Sequence, residues 1–128
     1  MVGWQDLRHA PPLGTVLCPL ATVPDGGCKE LCFGAGDAAF RLLLYRCGKS
    51  LRAYVNCCPH FSLPLNAHPE EFLLVEGMRI MCAWHCAMFR LEDGYCEEGP
   101  AQGLALDRVP VSIVGDQIVL LEGPALER

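Results

Sequence analysis

Two short segments of this 128-residue chain each combine one cysteine with one histidine. The first reads Cys58-Pro59-His60 and the second reads Cys82-Ala83-Trp84-His85. Thiolate sulfur and imidazole nitrogen are common ligands of iron and zinc in proteins. If the two segments lie on facing loops, the two cysteines can hold one iron and the two histidines a second iron. The pairs therefore predict that two distant segments meet at one metal centre, which constrains the fold more than any other feature.

Short apolar segments separated by turn residues predict a fold made almost entirely of β-strands. Alternation of apolar and polar residues over 51–56 predicts a strand that leads directly to the first pair. No segment has a sustained helical period, so little helix is expected. Tight hairpins are predicted at Asp93-Gly94 and Gly115-Asp116. The predicted strands cover residues 16–20, 29–33, 40–46, 51–56, 78–82, 88–91, 109–114 and 117–121.

The mixed pairs resemble those of the Rieske [2Fe-2S] family, in which two histidines replace two cysteines on one iron of the cluster. The resemblance extends over nearly the whole chain. Pro64-Leu65 stands where the family often has a Pro-Leu step, and Gly99-Pro100-Ala101 is similar to the proline loop that covers the cluster. Three further positions match the family's aromatic, apolar and turn positions, namely Phe89, Leu91 and Gly94.

The resemblance implies an all-β fold, an antiparallel β-sandwich of the Rieske type whose small cluster-binding end is formed by two loops. It implies one [2Fe-2S] cluster, with Cys58 and Cys82 on one iron and His60 and His85 on the other. A chain of this length is expected to form a single domain over residues 1–128, with 1–13 and 123–128 as peripheral tails.

The chain departs from the family pattern between and inside the two pairs. Twenty-one residues separate His60 from Cys82, several more than is usual, and the excess is predicted to form an exposed loop over 66–76. Ser62 and Cys86 stand where glycine is common. A Cβ beside a ligand restricts the backbone conformations of the loop. None of the four ligands is lost.

Four other positions indicate which type of Rieske protein the chain resembles. Members from respiratory cytochrome complexes carry a second cysteine in each loop and join them in a disulfide, whereas Leu63 and Trp84 stand there in this chain. Those members also hydrogen-bond the cluster sulfurs with a serine and a tyrosine, which Ala87 and Phe89 replace. Fewer donors stabilise the reduced cluster less. The resemblance therefore implies the low-potential, oxygenase-associated ferredoxin type without a disulfide.

By the same resemblance the chain is a one-electron carrier, not itself an enzyme, that passes electrons from a reductase to a terminal oxygenase or another oxidoreductase. Partners would dock at the two cluster loops, where the imidazoles of His60 and His85 form the exit for the electron. A self-contained oxygenase is not expected, because only His9 and His68 remain to hold the mononuclear iron that such enzymes use.

The negative charge of the chain is concentrated around the two pairs. The formal net charge is −5, and residues 58–100 alone contain seven acidic and only two basic side chains. A negative face repels nucleic acid and steers a protein partner that has a basic patch. The expected partners are therefore proteins, with no nucleic acid.

Other interpretations of the site and of the function stay open. Two cysteines and two histidines also suit tetrahedral zinc, although zinc sites more often pair like residues. A redox-sensing or structural subunit of a larger complex is the alternative function, because seven cysteines remain beyond the ligands, including Cys57 and Cys86. The sequence shows no export signal and no apolar stretch that could cross a membrane, so a cytoplasmic location with reduced thiols is expected.

Overall fold

The computed structural model describes residues 9–34, 39–48, 50–57, 65–66, 72–75, 79–82, 87–99 and 103–121. This part of the chain forms ten antiparallel β-strands and one short 3₁₀ helix at Leu20–Thr22. None of its helices is long and apolar enough to span a membrane. The strands are β1 (Val16–Pro19), β2 (Cys28–Phe33), β3 (Phe40–Cys47), β4 (Ser50–Val55), β5 (Leu73–Val75), β6 (Arg79–Met81), β7 (Met88–Arg90), β8 (Cys96–Glu98), β9 (Val111–Val114) and β10 (Gln117–Leu120). The prediction of an all-β fold is confirmed.

The strands form three sheets, and the sheet β2-β3-β4 lies between the other two. Side chains of a strand alternate between its two faces. On β3, Leu42 and Leu44 face one apolar core, while Leu43 and Tyr45 face the other. The first core is shared with the sheet β1-β10-β9, and the second core is shared with the sheet β5-β6-β7-β8. The middle sheet therefore has two buried faces, which explains its dense run of apolar residues.

All eight predicted strands are present with shifted ends, but β5 and β8 were not predicted. Each of these two strands has three residues, as have β6 and β7, but β6 and β7 flank the Cys82–His85 pair and were predicted from that position. The prediction of an exposed loop over 66–76 is wrong at both ends of that range. Asn66 is buried, and Leu73–Val75 pairs with β6. The acidic residues Glu70, Glu71 and Glu76 on either side of this short strand favour an exposed loop in the sequence.

Both predicted hairpins are present, but only the one at Gly115-Asp116 is as tight as predicted. Gly115 and Asp116 join Val114 to Gln117 in a two-residue turn, with Gly115 at a φ of +65°. The hairpin at Gly94 is longer, because the Arg90 N–H donates to the Tyr95 carbonyl at 2.9 Å and four residues lie between them.

Candidate metal site

One of the four predicted ligands, Cys82, lies in the described part of the chain. It directly follows β6 and is fully buried in the second core, on the same side of the strand as Ile80. The N–H of Cys82 donates to the Ala87 carbonyl at 2.8 Å, which extends the β6–β7 ladder by one pair and closes the loop 83–86. The Cys82 thiol therefore lies at the base of the hairpin loop that contains His85.

The loop 58–64, called the first ligand loop because it contains the predicted ligands Cys58 and His60, begins where β4 ends. The Asn56 N–H donates to the Arg41 carbonyl and the Cys57 N–H donates to the Val55 carbonyl, each at 2.8 Å, so the chain turns immediately before Cys58. After the loop 58–64, the Leu65 N–H donates to Asn56 Oδ1 at 2.8 Å. The two ends of the loop are thus held at the same place.

Residues that border each of the two loops pack in the second core. Leu65 follows the first loop, and Cys82 and Ala87 bracket the second loop. All three are at most 1% exposed and belong to one apolar cluster. Residues that border the two loops therefore share one core, while 58–64 and 83–86 themselves lie outside the described residues, so the meeting of the two cysteine–histidine pairs stays a prediction.

The donor set fits a two-iron cluster with mixed ligands. A fully buried thiol at a loop base suits a thiolate ligand shielded from water, and the two loops supply a second thiol and two imidazoles. Cys58, His60 and His85 lie outside the described residues, as do Ser62, Leu63, Trp84 and Cys86. Their roles as ligands and neighbours of the cluster therefore stay predictions.

Sequence reasoning missed a buried polar network beneath the first loop. Glu30, Asn56 and Asn66 are the buried polar residues of the described chain, and Arg41 pairs with Glu30 at 2.7 Å. A weak signal exists in the sequence. On β2, Leu31 and Phe33 face the first core, while Glu30 is a charged residue on the face that the second core covers.

The second ligand hairpin is anchored to the middle sheet by Tyr54. Its hydroxyl donates to the Leu91 carbonyl at 2.7 Å, and the side chain is fully buried. Burial raises the pKa of Tyr54 to about 12, so the hydroxyl stays a donor at neutral pH. Ala87 and Phe89, at the positions expected to lack donors toward the cluster, are apolar core residues here.

The described acidic residues do not all surround the ligand loops. Glu92 and Asp93 lie in the turn that follows β7, whereas the loop 83–86 precedes β7. The four extended residues 87–90 separate this turn from the loop by about 13 Å. Asp93 is paired with Arg90, and Glu97 lies 3.8 Å from Arg79. The expectation that the negative charge is concentrated around the two pairs therefore does not hold for Glu92 and Asp93, because β7 lies between them and the loop 83–86.

No disulfide joins any two of the seven cysteines that the structure describes. Cys32 and Cys47 are exposed, while Cys28 faces the second core. Burial raises the pKa of the Cys28 thiol to about 12, which makes it a poor nucleophile at neutral pH.

Comparison with known proteins gives a family and a fold. The family model described as Rieske [2Fe-2S] domain matches residues 15–111. No curated protein sequence matches the chain.

Several solved structures have a similar fold. The ferredoxin of carbazole 1,9a-dioxygenase from Nocardioides aromaticivorans IC177 is 19% identical with a TM-score of 0.65, over 88% of this chain and 100% of its own. A Sphingomonas yanoikuyae B1 ferredoxin is 22% identical with a TM-score of 0.61, over 87% of this chain and 99% of its own. The terminal oxygenase of carbazole 1,9a-dioxygenase from Novosphingobium sp. KA1 is 18% identical with a TM-score of 0.70, over 92% of this chain and 31% of that chain.

Proposed function

This chain belongs to the Rieske [2Fe-2S] domain family, whose cofactor is a two-iron cluster, and we propose that it is a one-electron carrier. It would pass electrons from a reductase to a terminal oxygenase or another oxidoreductase, without being an enzyme itself. The observation that carries the proposal is the packing of Leu65, Cys82 and Ala87, which border the two predicted ligand loops, in one apolar core. The similarity in fold to ferredoxins of oxygenase systems supports it.

In this proposal a single domain spanning residues 1–128 holds the cluster with Cys58 and Cys82 on one iron and His60 and His85 on the other. The bound cluster supplies the uptake and release of one electron. The chain's own residues keep water from the thiolate of Cys82 and leave the histidine-bearing loop tips for contact with a partner. The short β6–β7 hairpin fixes the ends of the loop 83–86, because the N–H of the proposed ligand Cys82 is bonded to the Ala87 carbonyl on the other side of the loop.

We further propose a reduction potential in the lower part of the Rieske range. The side chains of Ala87 and Phe89 have no hydrogen-bond donor, and both are packed in the second core. Hydrogen bonds to cluster sulfurs stabilise the reduced, more negative state. Without side-chain donors at these two positions, the reduced state gains less.

Docking is proposed at the two cluster loops, with the negative charge of the chain steering a basic partner. We propose a cytoplasmic location, because the absence of disulfides among the described cysteines suits a reducing compartment. Cell fractionation with an antibody against the chain tests this location, and recovery from an exported fraction would contradict it.

A linked electron-transfer assay tests the carrier function. Catalytic amounts of the purified protein should couple NADH oxidation by a flavin-dependent ferredoxin reductase to reduction of cytochrome c, at a rate proportional to the protein concentration. Because cytochrome c is basic, the coupled rate should fall as salt rises. The matched control is Cys82→Ala, which removes a proposed ligand.

The assay separates the carrier from a redox-sensing or structural subunit. A cluster that is reduced but passes no electron to any protein acceptor would contradict the carrier. If its redox state instead changed the assembly of a complex, the alternative function would hold. A rate that does not depend on salt would contradict the steering by charge alone.

A further inference from the structure

Four polar side chains form a network beneath the first ligand loop, 58–64. Glu30 comes from β2, Arg41 from β3, Asn56 from the end of β4 and Asn66 from beyond the loop. Asn56 Nδ2 donates to Glu30 Oε2 at 2.9 Å and to Asn66 Oδ1 at 2.7 Å, and Asn66 Nδ2 donates to Glu30 Oε1 at 3.0 Å. Arg41 Nη2 pairs with Glu30 Oε2 at 2.7 Å. Both carboxylate oxygens of Glu30 therefore accept hydrogen bonds.

Stability alone does not explain such a network. Glu30, Asn56 and Asn66 are 6%, 2% and 4% exposed. A carboxylate moved from water into a protein interior is costly unless other groups replace its hydration, and well-packed apolar side chains often stabilise a protein equally well. Buried polar groups can instead specify one arrangement of the chain, since each hydrogen bond requires a particular geometry.

The arrangement that this network specifies is the closure of the ligand loop. Asn56 lies two positions before Cys58, and its Oδ1 accepts the hydrogen bond of the Leu65 N–H beyond the loop at 2.8 Å. The Nδ2 of the same side chain donates to Asn66 Oδ1 and to Glu30 Oε2. Glu30 thereby fixes the orientation of both asparagine amides. The side chain of Asn56 connects the two ends of the loop to the middle sheet.

We propose that Glu30, Asn56 and Asn66 are positioning residues that hold the first ligand loop in the shape required to retain the cluster. The proposal rests on the proposed function, since it takes Cys58 and His60 as ligands. Groups that hold the ligands of a metal without touching it affect retention of that metal strongly. A loop whose ends are fixed in advance also loses less conformational entropy when the metal binds.

The hydrogen-bond pattern allows a test by exchange of partners. Glu30→Gln turns an amide N–H₂ toward the donating amide of Asn66, and Asn66→Asp turns a second carboxylate toward Glu30. Glu30→Gln therefore leaves two donors facing each other in this contact, and Asn66→Asp leaves two acceptors. In the double variant the new glutamine amide donates to the new aspartate, so every contact regains one donor and one acceptor. A double-mutant cycle separates this restoration from two independent effects.

The cluster-loaded proteins are compared by two measurements, the rate of iron release to an excess of a chelator and the electron paramagnetic resonance spectrum of the reduced cluster. Each single variant should release iron about ten-fold faster or more and should show a broadened spectrum. The double variant should release iron within about two-fold of the unmodified protein. If one single variant does not fold, the other carries the same comparison.

A control variant distinguishes positioning from general destabilisation. Ile118→Ala creates a cavity in the first core, on β10 of the sheet β1-β10-β9, and should lower the stability while leaving the spectrum and the iron release of the folded protein unchanged. Single variants that behave like the unmodified protein, or a double variant that is not rescued, would overturn the proposal. An unmodified protein that never binds a cluster would instead overturn the proposed function.

Discussion

A substitution at Gly94 tests the contact between the middle sheet and the second ligand hairpin. Gly94 has a φ of +78°, in the left-handed region that disfavours residues with a Cβ. A Cβ added there would lie 2.9 Å from Tyr54 Cε1, 3.2 Å from Leu106 Cβ and 3.3 Å from the Leu106 carbonyl oxygen. The Tyr54 ring is fully buried and its hydroxyl is bonded to Leu91, so it has little room to move away.

The expected magnitude for Gly94→Ala has two parts. The left-handed backbone costs about 1–2 kcal/mol for a residue with a Cβ. Overpacking against a buried ring and a backbone carbonyl adds about 1–3 kcal/mol. The free energy of unfolding should therefore fall by about 2–5 kcal/mol, a large part of the stability of a small domain.

Gly115→Ala is the matched control. Gly115 is also in a hairpin turn with a positive φ, +65°, but a Cβ added there would meet no atom within 4 Å. Only the backbone cost of about 1–2 kcal/mol is expected. Urea unfolding of both variants, followed by circular dichroism, measures the difference. Equal losses for the two variants would refute the argument that the close approach of Gly94 to Tyr54 fixes the hairpin.

Three further predictions follow from single side chains. Tyr54→Phe leaves the buried Leu91 carbonyl without its partner, so the free energy of unfolding should fall by about 1–3 kcal/mol at pH 7. The pKa of Tyr54 is raised to about 12 from about 10 in an unfolded chain. The extra stability of the unmodified protein over the variant is therefore complete below pH 10 and should be lost as pH rises through 12. A stability difference that stays constant across that range would contradict the burial of the Tyr54 hydroxyl as a donor. Alkylation with iodoacetamide at pH 8, mapped by mass spectrometry, should modify the exposed Cys47 much sooner than Cys28, whose pKa of about 12 leaves almost no thiolate, and the reverse order would be inconsistent with the burial of Cys28. Glu92→Gln should leave the salt dependence of electron transfer unchanged, because Glu92 lies at the end of β7 away from the loop 83–86; a clearly weaker salt dependence would show that this turn takes part in docking.

The sequence predicted the positions of most strands along the chain, because most strands have a clear local signal. The alternation over 51–56 and the turn residues Gly115-Asp116 depend only on neighbouring residues, and the structure contains both features. The two missed strands, β5 and β8, have three residues each and depend on pairing with β6 and β7. Such pairing is a tertiary effect that no local pattern contains.

The sequence alone indicates the predicted ligands of the site, but it does not indicate the hydrogen-bonded residues that hold the ends of the first loop. Predicted ligand pairs such as Cys82 with His85 are visible as a spacing, because coordination chemistry restricts which residues can be used, and their ligand role stays a prediction. The hydrogen bond from Leu65 to Asn56, and the contact of Asn66 with Glu30, join residues that are far apart in the chain and of common polar types. Only the folded structure brings these residues together, so no spacing rule could have found them.

The most direct test of the account is the identity and ligation of the metal centre in the purified protein. Two irons and two labile sulfides per chain are expected, as a Rieske cluster requires. After reduction, pulsed electron paramagnetic resonance should detect nitrogen couplings from two imidazoles, and these should change when the protein is labelled with ¹⁵N-histidine. A single bound zinc, a lack of labile sulfide, or a two-iron cluster without any nitrogen coupling would contradict a cluster held by Cys58, His60, Cys82 and His85.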